Sequence, residues 1–316
     1  MLLFIILSCE RNSLYELASD GVPVITAVTD NDDASATLVI RATTHGYYHE
    51  FSTPLPASSA TVIHGTRDGS VVISDGSATI YYCNLNEKDN WKTTILPNPP
   101  AHLQSREGEI YAFINSPAYE AYSLNRNLLT WSLCKTLAYP PASLTENSGR
   151  IYLLKSTAGT IYIYDFDTDE QVLPAFSQGP GATSRPLIKY HDTFYTGFII
   201  ADVIRMYVNN TDTPTAFFTV AGLEGYGFAV SGGKVYAAVY DTSTIAIYKM
   251  SGSTFINDYA FTSTSGEIRI SAVDDGIIAV GVNATGTSDD GLYLYHHKTK
   301  SMEKKSSRGI QLIHVK

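Results

Sequence analysis

The chain has 316 residues, 44% of them hydrophobic and only 17% charged, a balance that builds a packed globular protein and excludes an intrinsically disordered one. A formal net charge of −9 excludes the broad positive surface on which nucleic-acid binding depends. The 22 Tyr, with many Thr, Val and Ile, favour strands, and no long stretch carries the 3.6-residue apolar period of a helix.

The first element is "MLLFIILSC", residues 1–9, apolar up to Ser8 and followed by the polar "ERNS". It is too short to span a bilayer, which takes about 20 residues. The segment resembles the end of a bacterial lipoprotein signal peptide, with Ile6-Leu7-Ser8-Cys9 in the place of the lipobox. Leu7 is bulkier than the usual residue there, and no Lys or Arg precedes the apolar run. The resemblance implies diacylglycerol and palmitate on a processed Cys9, residues 10–20 as a tether, and a protein anchored to a bacterial membrane, facing the periplasm or the exterior. The alternative is a hydrophobic N-terminal edge strand. Disulfides persist in such compartments, but Cys83 and Cys134 lie 51 residues apart with no CxxC motif, and two separate core thiols are expected.

From residue 21 onward the chain repeats. "TIYIY" (160–164) recurs as "TLVIR" (37–41), "TIYYC" (79–83), "AYEAY" (118–122), "VIRMY" (203–207), "TIAIY" (244–248) and "GLYLY" (291–295). Its last positions, Arg41, Cys83, Tyr122, Tyr164, Tyr207, Tyr248 and Tyr295, are spaced by 42, 39, 42, 43, 41 and 47 residues. A second motif precedes each copy: "GVPV" (21–24), "GSVV" (69–72), "GEIY" (108–111), "GRIY" (149–152), "DTFY" (192–195), "GKVY" (233–236) and "GIIA" (276–279). The glycine supplies the positive φ of a tight hairpin, and Asp192 stands for it in the fifth copy. A third echo, "LPASSA" (55–60), "LPNPPA" (96–101) and "LAYPPA" (137–142), falls between units. Three motifs sharing one period predict an all-β fold, a seven-bladed β-propeller with four-stranded blades over residues 21–316.

Within "TIYIY" the two Ile face one side of the strand and the two Tyr the other, and both sides are apolar enough to pack between blades. The tyrosines are therefore read mainly as inter-blade packing, with hydroxyls reaching a wet edge. To close the ring, "IQLIHVK" (310–316) is expected as the innermost strand of the first blade, beside residues 21–29; residues 13–19 are the competing choice.

The repeat resembles the broad superfamily of YVTN, NHL and WD40-like propellers. It lacks the recurrent Trp-Asp ending of WD40 repeats, the paired glycines of kelch and the SxDxGxTW box of sialidases. The resemblance implies a ligand face built by the loops between second and third strands and by inter-blade connections. Asp30, Asp32, Asp33, Asp75, Asp202, Asp241, Asp289 and Asp290 fall in such loops, with Tyr139 and Tyr226 expected on inter-blade loops as aromatic contacts. An acidic ring of this kind attracts a cation, calcium being the candidate, or a basic partner surface; as turn residues the same aspartates are ordinary.

No catalytic or metal motif stands out. "DFDTDE" (165–170) opens like a calcium loop, yet Glu170 and Phe176 occupy the positions where an EF-hand needs Gly and Glu, so it is read as a turn. The eight His are scattered, and His296-His297 is read as a surface or edge pair. HExxH and GxSxG are absent. No residue is assigned a catalytic or metal-binding role and no cofactor is expected. The first functional reading is a monomeric, membrane-tethered binding or scaffold module for a protein, peptide or glycan. The alternatives are a lactonase- or lyase-like enzyme with a site at the channel mouth, and a surface adhesin. The basic tail, Lys298, Lys300, Lys304, Lys305, Arg308 and Lys316, is read as a solvated outer strand.

Overall fold

The computed structural model describes residues 24–30, 36–44, 47–56, 60–66, 70–84, 90–177, 183–200, 202–209, 214–219, 225–241, 244–262, 267–274, 276–284 and 288–315. Cys9, the tether, and Asp32 and Asp33 lie outside the described residues.

Regular structure among the described residues is entirely β. The chain runs through β1 (Val24–Asp30), β2 (Ala36–Thr44), β3 (Tyr47–Pro54), β4 (Val62–Gly65), β5 (Ser70–Ser74), β6 (Thr79–Asn84) and β7 (Lys92–Ile95). It continues through β8 (His102–Arg106), β9 (Glu109–Ile114), β10 (Glu120–Asn125), β11 (Thr130–Thr136), β12 (Ser143–Asn147), β13 (Arg150–Thr157), β14 (Thr160–Asp165) and β15 (Phe176–Ser177). Then come β16 (Thr183–Tyr190), β17 (Thr193–Ile200), β18 (Val203–Val208), β19 (Ala216–Thr219), β20 (Gly225–Ser231), β21 (Lys234–Tyr240), β22 (Thr244–Ser251) and β23 (Thr254–Thr262). The last five are β24 (Glu267–Asp274), β25 (Ile277–Asn283), β26 (Gly291–His296), β27 (Ser301–Ser306) and β28 (Ile310–Val315).

Four consecutive strands zigzag antiparallel to make a blade, as in β4–β7, β8–β11, β12–β15 and β24–β27. The strands β16–β19 and β20–β23 zigzag in the same way but belong to one eight-stranded sheet. The departure from separate sheets is local: β19 meets β23 through the single parallel pair Phe217 and Thr254, with the Phe217 N–H donating to the Ser253 carbonyl at 3.4 Å. The remaining sheet has the order β28-β1-β2-β3, so the C-terminal strand pairs with the first strand, Ala27 opposite Ile313 and Val28 opposite Leu312. That is the closure expected from "IQLIHVK". The inner strands β28, β4, β8, β12, β16, β20 and β24 neighbour one another in that cyclic order, β24 returning to β28.

Strand chemistry explains the packing. In β14, Ile161 and Ile163 are buried while Tyr162 and Tyr164 are half-buried, as the pleat requires. The Ile side packs on Phe198 and Tyr207 of the following blade; on the other side Tyr164 meets Tyr139 with ring centroids 4.9 Å apart. Burying each such Ile contributes about 2 kcal/mol. Tyr207, Tyr236 and Tyr295 are among the most deeply buried large side chains, so the tyrosine-rich repeat is chiefly blade-to-blade packing.

The hairpins between first and second strands use two consecutive left-handed residues, Glu107-Gly108 (φ 50° and 85°) and Ser148-Gly149 (φ 54° and 74°). That is the turn whose twist matches the strands it joins. In the fifth copy the left-handed residue is His191 (φ 51°), not Asp192. The two cysteines are free, as expected, but only Cys83 is buried; Cys134 is exposed beside a bulge in β11, its thiol donating to the Ala121 carbonyl at 3.0 Å.

Candidate functional site

Because each blade is an antiparallel zigzag, the loop after its second strand and the connection to the next blade emerge at the same end. The inner strands share one direction where side chains bridge them: the Leu187 N–H donates to Ser143 Oγ at 2.9 Å and Asn147 Nδ2 donates to the Lys189 carbonyl at 3.4 Å, linking β12 to β16 in parallel. The second-to-third loops of successive blades therefore share one rim.

Asp75 follows β5 and is held by its own turn. Its Oδ1 accepts from the Ser77 N–H at 2.9 Å and its Oδ2 from the Tyr81 hydroxyl at 3.2 Å. Slight burial pushes the carboxyl up, and these donors outweigh it, leaving Asp75 below its ordinary value. Asp241, after β21, accepts from the Thr244 N–H at 3.0 Å. Between β25 and β26, Asp290 is buried and accepts from the Ala284 N–H, while the half-buried Asp289 offers its backbone carbonyl to the Tyr293 hydroxyl at 2.7 Å. Burial and the negative charge of Asp289 and Asp290 push Tyr293 up to about 12. Asp202 is exposed and takes a left-handed conformation, φ 61°, between β17 and β18. Asp30 is the last residue of β1 rather than a loop residue. An ionised carboxylate has about four acceptor positions, so one or two bonds spent within a turn do not use up Asp75 or Asp241.

Tyr139 sits on the inter-blade connection between β11 and β12, as expected. Its ring packs on Tyr164, and the Lys155 ammonium lies 5.0 Å from the Tyr139 centroid and 5.3 Å from that of Tyr162. Tyr226 differs from expectation: it is the second residue of inner strand β20, half-buried and edge-on to Phe228 at 6.0 Å. The glycines around it, "GYGFAV", continue a strand because Gly227 lies against the Ile270 side chain, where a Cβ does not fit. On the connection that carries Tyr139, the Pro141 carbonyl accepts from His102 Nε2–H at 3.1 Å and from Asn115 Nδ2 at 3.2 Å. Burial lowers the His102 pKa and the carbonyl partly restores it.

Towards the other end of the channel, His64 and His314 lie with ring centroids 4.3 Å apart. His64 Nε2 is 2.8 Å from Ser105 Oγ, and His314 Nδ1 accepts from the Gly65 N–H at 3.2 Å. These imidazoles stitch β4 to β8 and to β28. Among the described residues no group of three or more His, Cys, Asp or Glu is placed to hold a metal ion.

Two polar clusters were not legible from spacing. Asp258 on β23 accepts from Tyr295, from His297 Nδ1 at 2.6 Å and from Lys300 at 3.2 Å, so His297 is not a surface histidine but part of a buried junction between blades. Lys249 donates to His297 Nε2 at 3.3 Å, which assigns the proton to Nδ1. In "DFDTDE", Asp165 caps its own turn, accepting from the Asp167 and Thr168 N–H groups at 2.9 and 3.2 Å. Asp167 pairs with Arg106 at 2.6 Å and Asp169 with Lys135 at 2.8 Å. The loop is a turn that clamps the β8–β11 and β12–β15 blades together.

No protein-family profile matches the chain, and no curated protein matches it in sequence. Solved structures do. The β-propeller domain of Cps50 (Swd1) from Myceliophteria thermophila superposes with a TM-score of 0.58 at 12% identity, over 83% of this chain and 93% of that one. Hsv2 from Kluyvelomyces marxianus gives 0.54 at 11%, over 92% and 98%. U3-55K gives 0.56 at 12%, over 92% and 97%. At such identities the likeness concerns fold alone: the chain is a β-propeller with four-stranded blades.

Proposed function

We propose that the chain is a seven-bladed propeller acting as a binding module, which takes a basic protein or peptide surface on the rim carrying Asp75, Asp202, Asp241 and Asp289. The count of seven is supported by the cyclic neighbourhood of seven inner strands and by the seven sequence copies. The single observation that carries the binding reading is that aspartates from separate blades converge on one end of the ring. Asp75 and Asp241 are tied to their own turns, and with Asp202 and Asp289 they form a negative rim whose field a circular arrangement focuses. Propellers also serve as scaffolds in unrelated settings, so fold alone leaves the partner open.

The test replaces Asp75, Asp202 and Asp241 together by Asn and measures capture of Lys/Arg-rich peptides and proteins against salt. Asn keeps the turn acceptor and removes the charge. Wild-type capture should weaken as salt rises, because exposed charges are screened over about 10 Å at 0.1 M, and the triple variant should lose most of it. Equal capture by both proteins rejects the acidic rim; loss of calcium uptake without loss of peptide capture moves the function to a cation.

Tethering through Cys9 belongs to the same reading, supported by the apolar run that ends there, and places the rim in the periplasm or outside a bacterium. A bacterial culture fed labelled palmitate should label the wild-type protein and not Cys9→Ala. Label retained on Cys9→Ala refutes the anchor.

A further inference from the structure

On the outer wall of the ring two blades become a single sheet, at the parallel pair of Phe217 on β19 and Thr254 on β23. Ladder partners point to the same face of a sheet, and alternate residues along a strand return to it. Phe217, Thr254 and Ile256 therefore share one face, while Phe218 and Phe255 share the other. The second face is the inner one: those two rings pack between the blades with centroids 4.8 Å apart. The first face meets solvent, with Phe217 55% and Ile256 47% exposed. Residues set diagonally across neighbouring strands lie about 7–8 Å apart, within reach of an aromatic ring. The two side chains thus make one apolar patch rather than isolated exposures.

A cation stands on either side of the patch. Arg205 on β18 is the ladder partner of Phe217, and Lys249 on β22 is that of Ile256, so both rise from the same face. Among the described residues no hydrogen bond or ion pair holds the Arg205 guanidinium. Lys249 donates to His297 Nε2, a neutral acceptor that leaves its charge in place. The carboxylate behind that imidazole, Asp258, is also met by the Lys300 ammonium. Across the four strands the order is cation, apolar pair, cation, over three strand spacings of about 4.8 Å each.

That order selects among occupants. A second copy of the chain related by a two-fold axis would set cation against cation. An anionic bilayer gains little from two basic residues and repels a chain of net charge −9. A protein segment whose apolar side chains lie between carboxylates complements all four groups. We propose that Phe217 and Ile256, flanked by Arg205 and Lys249, form a docking face for an acidic, apolar-centred peptide segment of a partner protein. The aspartate rim uses other residues and takes the opposite charge, so the two readings stand or fall separately.

The experiment is fluorescence anisotropy on the full chain with a dye-labelled peptide, Glu-Leu-Glu-Phe-Glu-Leu-Glu. Forms with Ser for the apolar residues, or Lys for Glu, are the comparisons. The acidic apolar peptide should bind, more weakly as salt rises, and the Ser form should bind about tenfold less well. Phe217→Ser and Ile256→Ser, both at exposed positions, should each weaken binding about tenfold. Arg205→Gln should weaken it severalfold and make its salt dependence shallower. Binding of the Lys form, which suits the aspartate rim, should be unchanged by Phe217→Ser or Ile256→Ser. No binding at millimolar peptide overturns the proposal, as does undiminished binding when Phe217→Ser and Ile256→Ser are combined in a folded protein. Sedimentation with phosphatidylserine vesicles that the combined variant loses overturns it in favour of a membrane. A wild-type dimer that the combined variant loses overturns it in favour of a second copy.

Discussion

The Asp258 carboxylate takes its donors from the next blade: the Tyr295 hydroxyl, His297 Nδ1–H and the Lys300 ammonium. Its side chain is 3% exposed. Burial pushes the carboxyl up, and the three donors outweigh burial and hold it below 3.8. A depressed carboxyl contributes stability that is complete above its unfolded value and is lost as pH falls through its folded one. The junction should therefore weaken as pH falls below about 4. Asp258→Ala should cost about 3 kcal/mol at neutral pH by leaving buried donors unpaired, and should flatten the acid limb of a stability–pH curve. An acid limb identical to wild type would assign that limb to other carboxylates. Sequence spacing hid this site because Asp258 lies on an outer strand, 39 residues before His297, and only blade stacking joins them. The turn aspartates were legible because their partners are two or three residues away, as Ser77 is for Asp75 and Thr244 for Asp241.

Among the elements, the third strands were easiest to read. A strand such as β14 is covered on both faces, so all its side chains are constrained and its "TIYIY" pattern recurs with little drift. Outer strands face water and lose that constraint. β11 alternates only between half-buried and exposed positions, and β15 is two residues long. Tyr226 was misplaced for a related reason: the Gly-Tyr-Gly context has the composition of a loop, but in β20 Gly227 answers to the close Ile270 side chain instead. Ile163→Asp tests the register of β14. It would bury an unpaired carboxylate against Phe198 and Tyr207, at a cost of about 4 kcal/mol or more. Urea unfolding should show a correspondingly lower midpoint; a wild-type midpoint would remove position 163 from the blade core.

At the scale of the whole molecule, the basic tail is absorbed by its own blade and the one before it. Lys300 bonds Asp258, Lys304 donates to the Ser288 carbonyl at 2.7 Å, and Lys305 pairs with Glu303. Positive charge gathered there leaves the negative balance to the rest of the ring. The ring is held shut by β28, whose Ile310 is buried between blades and whose His314 reaches β4. An unpaired β1 would leave an open ladder along the inner wall. The proposed rim depends on that closure, since an opened ring would let its loops drift apart. The measurement is the melting temperature of the chain truncated after Gly309, alone and with a synthetic peptide of residues 309–316. The expected result is a fall on the order of 10 °C or more, reversed in part by the peptide taking the place of β28. A truncated chain that melts with the full-length protein and ignores the peptide would contradict the closed ring.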